Sequence, residues 1–80
     1  MPKPSLIRVI PETPVTEVTD SGIYIRFGAP RPVRATVIRR QWPLLAVDVD
    51  AAGLAIGIEA IPRPKVGLRR LAEQAGVLLT

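Results

Sequence analysis

Alternating apolar and polar residues predict strands through the middle of the chain. Ile23, Ile25 and Phe27 alternate with polar neighbours, as residues do on a strand with one buried face. Three further runs alternate in the same way and cover residues 33–40, 44–49 and 54–61. Glycine and proline residues separate the runs. The pattern predicts an antiparallel β-meander over residues 23–61.

The hairpin formed by the last two runs has a predicted register. A tight turn ends at Gly53, where glycine adopts a positive φ at no steric cost. The favoured register places Val49 opposite Leu54 and continues in steps of two residues along both strands, so that the apolar side chains share one face. Asp48 and Glu59 then point away from that face together.

An amphipathic helix is predicted over residues 66–76. Its apolar stripe has the i, i+3, i+4, i+7 spacing of a helix with one buried face and consists of Leu68, Leu71, Ala72 and Ala75. Gly76 provides a stop signal. Residues 77–80 form either a last strand or a tail that is open to a partner.

The first part of the chain, residues 1–22, reads as a proline-rich arm with one edge strand over residues 5–10. Proline removes a backbone donor, so a strand surrounded by prolines belongs at the edge of a sheet. No domain boundary is visible. We therefore predict one α+β domain over residues 1–80, with a small antiparallel β-meander of four to five strands and one C-terminal helix packed on one face. The open face suits a homodimer or a heteromeric protein partner.

Composition excludes several classes of protein. The chain has 80 residues, with 11 Lys and Arg against 7 Asp and Glu, and it contains neither Cys nor His. A disulfide framework, a Cys/His zinc site and a His-dependent nucleophile are therefore impossible. Hydrophobic residues make up 48% of the chain, which argues against disorder. No targeting segment or long apolar run is visible, so we expect a cytoplasmic protein without membrane contact.

Asp48 and Glu59 are the best candidates for catalytic chemistry. Paired carboxylates can transfer protons or bind a hard cation. However, a single sheet with one helix offers little concavity for a substrate, and outward charges near the arginines are the better explanation of both residues. We predict a non-enzymatic protein with no metal, no cofactor and no small-molecule substrate.

The strongest charge signal lies in residues 26–40, which contain five arginines and no acidic residue. Residues 44–80 balance four basic against four acidic residues. The five arginines are Arg26, Arg31, Arg34, Arg39 and Arg40. If Val33, Ala35 and Val37 face the core, Arg34 and Arg40 point outward. Such a stripe suits an acidic protein partner or nucleic-acid phosphates, or it is a solvated face that resists edge pairing.

Trp42 adds a further candidate for binding. It either plugs the end of the small core or is an exposed interface residue. Only three residues of the chain are aromatic, which gives little support to a surface that stacks bases. We therefore predict a protein-interaction module that uses Trp42 and the arginines, with nucleic-acid binding through the same arginines as the alternative.

Residues 23–61 resemble domain-of-unknown-function family 2283, a group of short bacterial domains. The resemblance is carried by Ile23–Phe27, by Val47–Asp50 followed by Gly53, and by Gly57–Ile61. It implies a small β-meander and, for some members, a gene beside a small toxin, and it implies no catalytic residues. This sequence departs from the family by carrying arginines where members usually carry acidic residues. The resemblance adds an antitoxin-like or inhibitory role to the predicted function.

Overall fold

The computed structural model describes residues 6–10 and 12–79. These residues form one helix and seven strands, namely β1 (Ile7–Arg8), β2 (Pro14–Val18), β3 (Ile23–Phe27), β4 (Ala35–Arg39), β5 (Leu44–Val49), β6 (Ala55–Ile61), α1 (Leu68–Ala75) and β7 (Val77–Leu78). The predicted α+β class is confirmed.

Five strands form an antiparallel sheet in the order β2-β3-β6-β5-β4. The predicted meander is correct for β4, β5 and β6, which are neighbours in sequence and in space. It is wrong for β3, which pairs with β6 instead of β4. Residues 28–34 therefore cross from β3, the second strand of the sheet, to β4 at its far edge, and we call them the crossover segment.

The N-terminal arm contains two strands, whereas the sequence predicted one. The predicted strand at residues 5–10 corresponds to β1, which pairs in parallel with β7 and brings residues 7–8 beside residues 77–78. Strand β2 was missed because it begins with Pro14 and all its residues are exposed, so it shows no buried alternation. The first five residues of the arm, Pro11 and Thr80 lie outside the described residues.

One face of the sheet packs against α1 and forms the core. The predicted alternation of β3 is confirmed, since Ile23, Ile25 and Phe27 are buried. They belong to a cluster whose other members include Leu45, Val47, Ile58, Leu71 and Ala75. The residues between them face away from the helix, because successive side chains of a strand alternate between faces. We call that surface the second face.

The β5–β6 hairpin differs from its predicted register by two residues. Val47 lies opposite Ile58, whereas the alternation predicted residue 56 as its partner. The pairing shifts at a bulge beside Val49, where Ile56 is the additional residue of β6. A shift of two residues preserves the faces, so Asp48 still points to the second face.

Helix α1 begins two residues later than predicted and ends at Ala75, directly before the predicted stop residue Gly76. Gly76 adopts the left-handed conformation at φ 75°, and its N–H bonds to the carbonyls of Ala72 and Glu73. This is the geometry for which glycine is favoured after a helix. No helix among residues 6–10 and 12–79 is long and apolar enough to cross a membrane.

Candidate interaction surface

Arg26 is held on the second face by its own neighbours. Its guanidinium forms an ion pair with Glu17 on β2, and its Nε donates to the carbonyl of Gly28 at 2.8 Å. The pair spans adjacent antiparallel strands, where opposite charges stabilise the pairing. Arg26 therefore contributes to the contact between β2 and β3.

Arg31 fastens the crossover segment to the β5–β6 turn. Its guanidinium lies 2.5 Å from Asp50 Oδ2, and both side chains are mostly shielded, with 23% and 17% exposure. It also donates to the carbonyl of Ala55 at 3.0 Å. The other carboxylate oxygen of Asp50 accepts the N–H groups of Ala52 and Leu54. One arginine thus holds the turn and the crossover segment together.

Arg39 lies on the side of the sheet that faces the helix, and its Nε donates to the carbonyl of Ala75 at 3.1 Å. The last carbonyls of a helix lack partners within the helix and carry partial negative charge, so a cation stabilises them. The fit is close, since a Cβ at Gly76 would lie 2.8 Å from the Arg39 guanidinium. Arg39 therefore caps α1.

Arg34 and Arg40 have a different environment from the other three arginines. Both are exposed, and neither is ion-paired within the described part of the chain. They flank β4, and their even spacing from Thr36 and Ile38 places them towards the second face. The five arginines do not form one continuous stripe, because the structure engages three of them in intramolecular contacts and leaves two at the edge of the sheet.

Trp42 lies in the loop between β4 and β5 with 83% of its surface exposed. The interpretation of this residue as a plug of the core is therefore wrong, and its exposure agrees with the alternative of an interface residue. Ile38 and Leu44, on the second face, are 47% and 38% exposed, and Leu44 pairs with Ile61. We call Ile38, Trp42, Leu44 and Ile61 the apolar corner.

The middle of the second face carries a hydrogen-bonded network that the sequence did not reveal. Tyr24 Oη donates to Asp48 Oδ2 at 3.0 Å, and Thr36 Oγ1 donates to Asp48 Oδ1 at 2.7 Å. The tyrosine lies over Gly57, where a Cβ would come within 2.4 Å of its ring. Desolvation, followed by the hydrogen bond to Asp48 and its charge, raises the pKa of Tyr24 above its ordinary value.

Asp48 and Glu59 both lie on the second face but do not face each other across the hairpin. Asp48 pairs with Gly57, and Glu59 pairs with Ala46. The carboxylate of Asp48 already accepts two side-chain hydrogen bonds. No group of three potential metal ligands occurs among residues 6–10 and 12–79. The geometry offers a satisfied polar network at the positions where the sequence suggested a carboxylate pair.

A cleft of about 420 Å³ opens at the other side of the molecule, beside the start of α1. Its lining consists of Val9, Ile10, Glu12, Thr13, Pro14, Phe27, Leu68 and Leu79. The walls are mostly apolar, which suits a hydrophobic side chain better than a charged substrate. The predicted site residues do not line this cleft.

Comparisons with protein-family models, with curated proteins and with solved structures found no match to this chain. The resemblance to domain-of-unknown-function family 2283 therefore stays a prediction.

Proposed function

We propose that this protein is a non-enzymatic interaction module that binds a partner protein through the apolar corner. The observation that carries the proposal is the 83% exposure of Trp42 in the loop that joins β4 to β5, the two strands that carry the exposed side chains of Ile38 and Leu44. Aromatic residues at the centre of an apolar surface dominate the energetics of many protein interfaces. Contiguous exposed apolar side chains on a small domain mark sites of interaction.

The charges around the apolar corner support an acidic partner. Arg40 directly follows β4, whose last residue Arg39 pairs with Leu45, and Arg34 directly precedes the strand. Exposed cations around an apolar surface raise the association rate with a negatively charged protein. The formal net charge of the whole chain is +4 and acts in the same direction.

The resemblance to domain-of-unknown-function family 2283 suggests an antitoxin-like or inhibitory role for such a module. An antitoxin-like or inhibitory protein acts by stoichiometric binding and needs no catalytic residues of its own. The network of Tyr24, Asp48 and Thr36 supports a non-enzymatic role, since each oxygen of the Asp48 carboxylate already accepts a side-chain hydrogen bond. The cytoplasmic location predicted from the sequence is part of the same proposal, and cell fractionation tests it.

Nucleic-acid binding is the second candidate, and the exposed pair of Arg34 and Arg40 is the observation in its favour. Each phosphate contact adds a salt-dependent contribution to affinity. Its support is weaker because Arg26, Arg31 and Arg39 already donate to acceptors of the protein itself. Two isolated cations and one exposed indole make a small surface for a polyanion.

Native mass spectrometry of the full chain purified from its own host, with and without nuclease, tests the proposal. We expect a nuclease-resistant complex with one other protein at fixed stoichiometry. The complex should be lost in the double variant Trp42→Ala, Leu44→Ala and retained in Val18→Ala, which truncates a valine that is 68% exposed on β2. Thermal unfolding of each variant confirms that it is folded.

Two results would contradict the proposal. If the complex survives the double variant, the apolar corner is not the interface. If the bound material disappears with nuclease and contains nucleic acid, the second candidate replaces the first.

A further inference from the structure

The two edges of the five-stranded sheet differ in how they are protected. Strand β2 begins with Pro14, which has no backbone N–H, and its Glu17 is ion-paired with Arg26. Proline and charged pairs are devices that prevent further strands from adding to an edge. Strand β4 reads Ala-Thr-Val-Ile-Arg, without proline or glycine and rich in β-branched residues. Of the two edges, β4 is the one that can accept another strand.

The outer side of β4 is open. Within the described residues, β4 pairs with β5 on one side and with no strand on the other. Ala35, Thr36 and Ile38 are exposed. An edge strand directs alternate N–H and C=O groups to solvent, where they are available to an extended segment of another chain.

Two exposed arginines that form no ion pair within residues 6–10 and 12–79 flank this edge. Arg34 and Arg40 lie six positions apart, which is about 20 Å along an extended strand. Both are exposed, and Thr36 and Ile38 lie between them towards the same face. A strand added beside β4 would therefore match the edge if it had an acidic residue opposite each arginine and an apolar residue opposite Ile38.

A second copy of this chain fits the edge poorly. In the antiparallel register that pairs all five residues of β4 with β4 of another copy, Arg34 of each molecule stands opposite Arg40 of the other. Like charges directly opposite each other on antiparallel strands are destabilising. The same two arginines attract an acidic strand, so charge complementarity selects a different chain.

We propose that the outer edge of β4 is a docking site for an extended acidic peptide segment, which adds as an antiparallel sixth strand of the sheet. Backbone hydrogen bonds supply much of the affinity in this mode of recognition, and side-chain pairs supply the specificity. The inference rests on the proposed function, since it names a segment of the protein partner. Ile38 belongs to both surfaces, but the docking site depends on the backbone edge of β4 and its flanking arginines, whereas the proposed function depends on Trp42 and Leu44, so each can fail without the other.

A titration of the full chain with synthetic peptides tests the docking site. The probe is the end-blocked peptide Glu-Thr-Val-Thr-Ile-Thr-Glu, which places its two glutamates opposite Arg34 and Arg40. Its counterpart carries lysine at both glutamate positions. We expect the Glu peptide to shift the backbone NMR signals of Ala35–Arg39 and to slow their amide hydrogen exchange. The Lys peptide should have neither effect.

Charge reversal provides the matched variants. In Arg34→Glu, Arg40→Glu, we expect affinity for the Glu peptide to fall about tenfold or more, because two attractive pairs become repulsive, and binding of the Lys peptide to appear. The control Arg69→Glu, Arg70→Glu makes the same change in net charge on two exposed residues of α1. It should retain the preference for the Glu peptide.

Several outcomes would overturn the inference. Equal loss of affinity in both double variants would assign the binding to net charge alone. Slowed exchange at β2 instead of β4 would place the added strand at the other edge. If amide exchange at β4 slows with rising protein concentration in the absence of peptide, the edge binds a second copy of this chain. Displacement of the Glu peptide from β4 by a short oligonucleotide would assign the edge to nucleic acid.

The variant Trp42→Ala separates the two proposals. If it still binds the Glu peptide but loses the complex formed in the host, both proposals stand. If no peptide binds the unmodified chain while the host complex depends on Trp42, the proposed function stands and the β4 docking site is wrong. If the peptide binds at β4 and the host complex is unaffected by loss of the apolar corner, the docking site stands and the proposed interface is wrong.

Discussion

Tyr24 combines three features that make its ionisation informative. It is the only tyrosine of the chain, it donates to Asp48, and desolvation together with that carboxylate raises its pKa. A phenol whose pKa is higher in the folded state than in the unfolded state stabilises the fold below the unfolded pKa of about 10. That contribution is lost as the pH rises through the folded pKa.

We therefore expect the free energy of unfolding to fall as the pH rises above about 10. Tyrosinate absorbance should increase at a higher pH in the folded chain than in the chain unfolded by urea. The variant Tyr24→Phe keeps the ring over Gly57 and removes only the hydroxyl. Its free energy of unfolding should therefore fall less than that of the unmodified chain as the pH rises above about 10. A common titration midpoint in the folded and unfolded chains would contradict the hydrogen bond to Asp48.

The arginines show what a sequence reveals at the scale of single residues. The cluster in residues 26–40 is visible as a charge imbalance. Arg34 and Arg40 are exposed as alternation predicted, but Val33 and Ala35, which the same alternation placed towards the core, are exposed as well. The acceptors of Arg31 and Arg39 are Asp50, Ala55 and Ala75, which lie 19 to 36 positions further along the chain. Alternation is a local signal, and it contains no information about contacts of that range.

At the scale of elements, the alternation of apolar residues predicted β3, β5 and β6 with nearly correct bounds, because these strands have a buried face. The same signal is absent from β2, whose residues are all exposed. The hairpin register was predicted wrongly because a bulge adds Ile56 to β6, and a shift of two residues leaves the pattern of apolar faces unchanged. Helix α1 was predicted because both its stripe and its glycine stop are local features.

The crossover segment is an element whose position depends on one side chain. Arg31 joins it to Asp50 of the β5–β6 turn and to the carbonyl of Ala55. Removal of the guanidinium leaves a shielded carboxylate with fewer partners, so Arg31→Ala should lower the free energy of unfolding by about 1–3 kcal/mol. Urea unfolding measures the difference. The control Arg34→Ala removes an exposed arginine nearby and should change stability by less than about 0.5 kcal/mol.

Amide hydrogen exchange identifies where the loss of Arg31 acts. We expect faster exchange at the N–H of Arg34, which bonds to the carbonyl of Val49, because the crossover segment would hold β4 less firmly against β5. Equal effects of Arg31→Ala and Arg34→Ala on stability would show that the ion pair with Asp50 contributes no more than a surface charge.

At the scale of the whole molecule, the decisive features are the order of the strands and the pairing of β1 with β7. Neither follows from periodicity. The step from β3 to the far edge depends on the crossover segment, and β3 gains β6 as a neighbour across more than thirty positions. The parallel pairing of β1 with β7 joins residues near opposite ends of the chain, and such a contact between two short strands has no local signature.

Strands β1 and β7 are expected to act as one cooperative unit. Ile7 lies opposite Val77 in the β1–β7 pair, and both side chains belong to the core or pack against it. Val77→Ala removes two buried methyl groups and should cost about 1.6 kcal/mol. Loss of either side chain weakens the position of the other strand, so Ile7→Ala and Val77→Ala together should cost less than the sum of the single variants, by about 0.5 kcal/mol or more.

A double-mutant cycle of Ile7 and Ile38 is the control for the coupling between Ile7 and Val77. Ile38 lies on the second face, whereas Ile7 packs against the core on the opposite side of the sheet. The effects of Ile7→Ala and Ile38→Ala should therefore add within about 0.5 kcal/mol in urea unfolding. Additive effects of Ile7→Ala and Val77→Ala would mean that β1 and β7 are attached to the core independently. Coupling confined to the Ile7–Val77 pair would establish that the β1–β7 pair stabilises the fold as one unit.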